Sequence, residues 1–152
     1  MDFKDLIDSR HIKKAITECK IPARDIPIEK ARRLRNTIET KYAVYPNGWL
    51  WDRLIDYISR RRYDGWKLAC EYPGEKEVIL FLDGREGEMM WELRNGYDLC
   101  CVIGECPPIE FYLTDANASY VLCLNHHDYL IGAGACKPWL EQIEPKMGPS
   151  DE

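Results

Sequence analysis

Two adjacent histidines, His126 and His127, stand between Asn125 and Asp128, with Cys123 just before them and Cys136 not far after. Residues of these types bind metals or activate thiols. A zinc reading takes Cys123, one or both histidines, and Asp128 or a distant cysteine. Structural zinc needs four ligands in a tetrahedral array, usually with paired short spacings. Only Cys123-x-x-His126 has that form, and strand alternation turns Cys123 to the opposite face from Leu122 and Leu124. The segment reads better as a polar hairpin loop in which Asn and Asp supply the turn hydrogen bonds. No metal and no cofactor is therefore expected, and Asn125, His126, His127 and Asp128 are kept as a candidate binding loop.

The cysteines offer a second chemistry. Seven occur, at 19, 70, 100, 101, 106, 123 and 136, an odd number without a CxxC pair. A nucleophilic thiol would pair Cys100, Cys101, Cys106 or Cys136 with His126 or His127, and needs a base or an electropositive site beside it. Cys136 precedes Pro138 at a helix start, whereas Cys100-Cys101 sit inside an apolar helix; buried packing is the better use for all of them. Gly132-Ala133-Gly134 lacks the third glycine, the lysine and the βαβ setting of a phosphate loop, and suits a tight strand-to-helix corner. The many carboxylates show no spacing that singles out an acid/base pair. No catalytic residue is assigned, and a binding protein is expected rather than an enzyme.

Charge is unevenly divided. Residues 1–70 carry 16 Lys/Arg against 10 Asp/Glu, residues 71–115 carry 3 against 11, and residues 116–152 carry 2 against 5. The basic part holds two clusters, Arg32-Arg33-Arg35 and Arg60-Arg61-Arg62, the second near Tyr57, Tyr63 and Trp66. Such clusters contact phosphates in nucleic-acid readers, which makes a nucleic-acid-associated regulatory module the alternative reading. The acidic part, Glu71, Glu75, Glu77, Asp83, Glu86, Glu88 and Glu92, is expected to gather on strands and turns. An acidic surface of this kind steers basic protein partners by long-range attraction.

The elements that must position these residues follow from the apolar pattern. Phe3, Leu6 and Ile7 fall on one helical face and Ile12, Ala15, Ile16 and Cys19 on another, so a short helix near 2–8 and a second near 10–20 are expected. Asp25, Pro27 and Glu29 start a helix carrying Ile28, Ala31, Leu34 and Ile38. Asn47-Gly48 opens a further one in which Leu50, Leu54 and Ile58 recur. Alternation then predicts strands at 66–72, with Trp66, Leu68, Cys70 and Tyr72 facing in and Lys67, Ala69 and Glu71 facing out, and at 77–82 and 89–93. Asn95 caps a helix that Gly104 can close, and strands follow at 109–113, 120–124 and 129–133, with a turn at Asp115 to Ser119, before a last helix at Pro138.

The order predicts an α+β fold: N-terminal helices packed on a mainly antiparallel sheet of about six strands. One helix lies between two three-stranded meanders and one ends the domain. Residues 1–144 are expected to form a single domain and 145–152 a flexible polar tail. The longest apolar run is Val78 to Leu82, far short of a membrane span, and the charged opening MDFKDLIDSR has no secretory h-region. A cytoplasmic protein is expected.

The segments Ile109-Glu110-Phe111-Tyr112-Leu113-Thr114-Asp115, Tyr120 to Gly134 and Trp139-Leu140, with Tyr45-Pro46-Asn47-Gly48-Trp49-Leu50-Trp51 upstream, resemble a small bacterial family of uncharacterised domains. Members of such families look like immunity proteins of interbacterial toxin systems. The resemblance implies a protein that binds a cognate toxin domain, possible targets including a basic nuclease, and occludes its active site. It carries over no catalytic residues.

Overall fold

The computed structural model of the chain describes residues 7–145. Helix α1 spans Ile7–Cys19, a two-residue strand β1 spans Arg24–Asp25, and α2 spans Ile28–Tyr42. A single turn of helix, α3 (Leu50–Arg53), leads to strand β2 (Tyr57–Arg61) and helix α4 (Gly65–Glu71). Strands β3 (Val78–Phe81) and β4 (Met90–Leu93) are joined through a 3-10 turn at Gly84–Glu86. Helix α5 (Gly96–Glu105) precedes β5 (Phe111–Thr114), β6 (Tyr120–Leu124), β7 (Tyr129–Gly134) and α6 (Lys137–Glu141). The result is the expected α+β fold: one open antiparallel sheet in the order β1-β4-β3-β5-β6-β7-β2. No helix among the described residues is long and apolar enough to cross a membrane.

The sheet is covered on both faces, which explains why β3, β5 and β6 are buried along their whole length. One face presents Leu80, Trp91, Leu113 and Leu122 to Ile12 of α1, Ala69 of α4, Leu99 of α5 and Leu140 of α6. The other presents Ile79, Phe81, Tyr112 and Val121 to Ala31, Leu34 and Ile38 of α2 and Leu50 of α3. Phe81 and Tyr112, partners across β3 and β5, stack with ring centroids 5.1 Å apart.

Three elements differ from the sequence reading. Residues 66–72, expected as a strand, form α4 and the residue after it. Ala69, assigned to the outer face of that strand, is fully buried, and Trp66, Ala69 and Cys70 follow helical spacing. With that strand gone, β3 takes β5 as its second neighbour in the expected single sheet. The helix expected through Ile58 ends at Arg53. There the chain doubles back on the end of α2, with Val44 N donating to Arg53 O at 2.9 Å and Ile55 N to Tyr42 O at 2.8 Å. Asp56 then adopts φ +50, which a helix cannot continue. Finally, α1 runs unbroken through Asp8 and Ser9, because Glu86 Oε2 accepts from Ser9 N at 2.8 Å and caps the first turn from a distant loop. The short helix expected near 2–8 lies mostly outside the described residues, as does the tail beyond Pro145.

Other local expectations hold. Asn95 Oδ1 accepts from Asp98 N at 2.8 Å, the N-cap bond, although α5 continues one residue past Gly104. The 115–119 turn is built by Asp115 Oδ1 accepting from Asn117 N and Ser119 N. The glycine corner does make the close passage from β7 to α6. At Gly134, φ is +79 and a Cβ would lie 2.6 Å from both Ser119 O and Tyr42 Oη.

Candidate functional site

Antiparallel pairing fixes what meets at each end of the sheet. At one end β3 and β6 finish while β4, β5 and β7 begin, so loops 82–89, 106–110 and 125–128 converge there. This brings Asp83, Glu86 and Glu88 together with the Asn125–Asp128 turn, two candidate groups that are distant in sequence. The remaining acidic residues do not join them. Glu71, Glu75 and Glu77 precede β3 and Glu92 lies late in β4, so they sit at the other end, about 13 Å away along a four-residue strand. There Arg24 engages both Glu92 and Glu77.

The turn is organised by Asn125, whose side chain is buried. Its Oδ1 accepts from His127 N at 2.9 Å and Tyr129 N at 3.0 Å, and Asp128 takes φ +66 to close the hairpin. Glu110 Oε1, from the loop before β5, accepts from His126 N at 3.0 Å and lies 2.9 Å from His126 Nδ1. The two imidazoles stand 3.9 Å apart between centroids, and Trp51 packs edge-on against both. Cys123 points away, fully buried on the α2 face of the sheet, so the Cys123-x-x-His126 pair is not formed. Among the described residues, no group of three or more His, Cys, Asp and Glu side chains could hold a metal ion.

The thiols are placed for packing. Burial pushes Cys106 up to about 11 and Cys136 up to about 12, and raises Cys70 and Cys123 as well. Cys136 Sγ lies 3.5 Å from the carbonyls of Val121 and Ala133. It follows the end of β7 and the histidines precede its start, roughly 20 Å apart along six extended residues.

Asp83 is an organising group rather than a free surface charge. Its Oδ1 accepts from Arg35 Nη2 at 2.7 Å and Gly84 N at 2.9 Å; its Oδ2 accepts from Leu50 N at 2.7 Å and from the Tyr112 hydroxyl at 2.9 Å. Burial alone would raise this carboxyl, but the Arg35 guanidinium and the two amides outweigh it and hold it below the usual carboxylate range. The outcome is a clamp that fixes the 44–54 segment against the sheet end. Arg53, itself buried, ties the same segment down through Gly48 O at 3.2 Å and the Glu39 carboxylate.

That segment displays Trp49, which is 49% exposed, and Tyr45, which is 80% exposed. Trp49 forms the rim between two concavities. One, of about 500 Å³, is lined by Arg35, Glu39, Asp83 and Glu88. The other, of about 520 Å³, is lined by Asp8, Asp83, Glu86 and Glu110, with His126 and one arginine, Arg85. A third, of about 430 Å³, continues from Glu110 and His126 towards Trp66 and α5. Negative charge accumulates in the second: burial raises the Asp8 carboxyl, and Glu86 and Glu110 add to the rise, against His11, which lowers it.

Most arginines of the two clusters are paired within the chain, while Arg33 is exposed. Arg32 donates to Glu88 at 2.8 Å and Arg35 to Asp83; Arg60 donates to Ile143 O at 2.9 Å. Arg61 reaches His127 O at 3.4 Å, and Arg62 holds Asp64 at 2.9 and 3.0 Å and Glu144 O at 2.9 Å. The sequence reading missed Trp49, Glu110 and Asp8 as members of the site. The one local signal was Trp49 directly after the Asn47-Gly48 turn, an aromatic outside the helical stripe that follows. No family model matches the chain, and neither a curated protein nor a solved structure matches it.

Proposed function

We propose that this protein works by binding, as an immunity protein that occludes a toxin domain would, and that the partner is a basic protein held on the Trp49 rim. The observation that carries the reading is a half-exposed tryptophan fixed on a clamped segment, beside a concavity lined with Asp8, Glu86 and Glu110. Rigid aromatic anchors surrounded by complementary charge are the usual energetic centres of protein interfaces. Tyr45, on the same segment, widens the anchor.

The internal pairing of Arg32, Arg35, Arg60, Arg61 and Arg62 favours this reading over nucleic-acid binding. Burial of Cys70, Cys123 and Cys136 as thiols suits a cytoplasmic setting. Co-expression with the product of the adjacent upstream reading frame tests the proposal. A toxic product that is neutralised and co-purifies supports it; a non-toxic product, or one that does not associate, removes it.

A further inference from the structure

The third concavity differs in kind from the other two. Trp66 of α4, Ile103 of α5, Ile109 and Leu124 give it apolar walls, and Gly104 leaves its edge open beside the Trp66 indole. Its volume of about 430 Å³ lies in the range of sites that enclose a ligand group, where apolar walls meet a few oriented polar groups. Its polar lining comes from Tyr63, Glu110, Asn125, His126 and Asp128. Among the described residues neither lysine nor arginine lines it; Lys67, which is not a lining residue, lies over the Trp66 ring.

Glu110 is the oriented group. Its side chain is 14% exposed, and both bonds that it receives, from His126 N and Nδ1, fall on Oε1. Among the described residues nothing else donates to it, so Oε2 keeps its accepting capacity, and Glu110 lines this cleft. A carboxylate so placed binds a cationic donor through a charge-assisted hydrogen bond, which is stronger than a neutral one. The apolar walls take the hydrocarbon part.

We propose that this cleft is a side-chain receptor for the partner, taking a bulky apolar residue against Trp66 and Ile103 and an adjacent arginine or lysine on Glu110. The inference rests on the partner-binding reading and names the chemistry the partner must present. The probe is the blocked dipeptide acetyl-Phe-Arg-amide, with acetyl-Phe-citrulline-amide as its uncharged isostere. Both are titrated into the full chain while the Trp66 indole resonance is followed by NMR.

The arginine peptide should move that resonance with a Kd of about a millimolar, and the citrulline peptide should bind at least about five-fold more weakly. Glu110→Gln keeps an oxygen for the two His126 donors, so the turn should hold, yet it should reduce the arginine peptide to the citrulline level. Gly104→Leu, whose added Cβ meets Trp66 only at an ordinary 3.7 Å, should close the slot and abolish binding of both. Equal affinity for the two peptides, no binding of either, or binding unchanged in Glu110→Gln overturns the proposal. The two readings fail separately. A genuine partner that binds Gly104→Leu as well as wild type removes the receptor and leaves the partner reading. Charge-dependent peptide binding by a chain with no protein partner does the reverse.

Discussion

The Tyr112 hydroxyl donates to Asp83 Oδ2 at 2.9 Å while accepting from Trp51 N at 3.1 Å, so one phenol in the sheet interior links the β3 loop to the segment that carries Trp49. Asp83 completes the link through Leu50 N on the same oxygen. The exposed rim is thus hung from the core by two buried side chains, and its shape depends on them.

Asp83→Ala should be destabilising, by about 2 kcal/mol, because Leu50 N loses its acceptor and the half-buried Arg35 guanidinium loses its closest anion, keeping Leu82 O and Glu39. Tyr112→Phe should cost less, about 1 kcal/mol, since the ring stack on Phe81 is retained. Urea denaturation of both variants and of the double variant checks this; independent, additive effects would mean that the two residues do not form one network.

The clamp also sets an acid limit. The folded-state pKa of Asp83 is depressed, so its contribution is present above the unfolded carboxyl value of about 3.9 and is lost as pH falls through the lower folded value. Asp8 has the opposite sign: its folded pKa is raised, so its ionisation opposes folding as pH rises. Asp83→Asn should therefore flatten the loss of stability below about pH 4, whereas Asp8→Asn should raise the melting midpoint at pH 7 and leave it little changed in acid. Thermal melts across pH 2–8 would show both signs, and matching profiles for the two variants would contradict them.

At the far end of β7, Gly134→Ala should destabilise by about 2 kcal/mol or more, because φ +79 and two contacts at 2.6 Å both exclude a Cβ. Gly74→Ala is the control: its φ is also positive, at +59, but nothing lies within 4 Å, so only the conformational part of the cost, about 1 kcal/mol, should remain. Denaturation midpoints of the two variants separate crowding from strain.

Much of the fold was legible because its signals are local. The Asn125 turn between β6 and β7, the Asn95 cap and the Asp115 turn each lie within a few residues of what they organise. Residues 66–72 were misread because seven residues satisfy both a two-residue and a helical period, and only the burial of Ala69 separates them. The acidic group was read as one surface because sequence proximity says nothing about β3 dividing Glu77 from Asp83. Asp8, Trp49 and Glu110 come from three separate segments, and strand order, the Ser9–Glu86 bond and the Asp83 clamp together bring them to one rim.

The most direct measurement of the central claim is calorimetric titration of the wild type, Trp49→Ala and Glu75→Gln with the purified neighbouring gene product. Trp49 is half-exposed, so its removal should change stability by less than about 1 kcal/mol yet weaken the complex at least ten-fold. Glu75→Gln, at the opposite sheet end, should bind as wild type does. A complex insensitive to Trp49→Ala but weakened by Glu75→Gln, or no complex at all, would contradict the account.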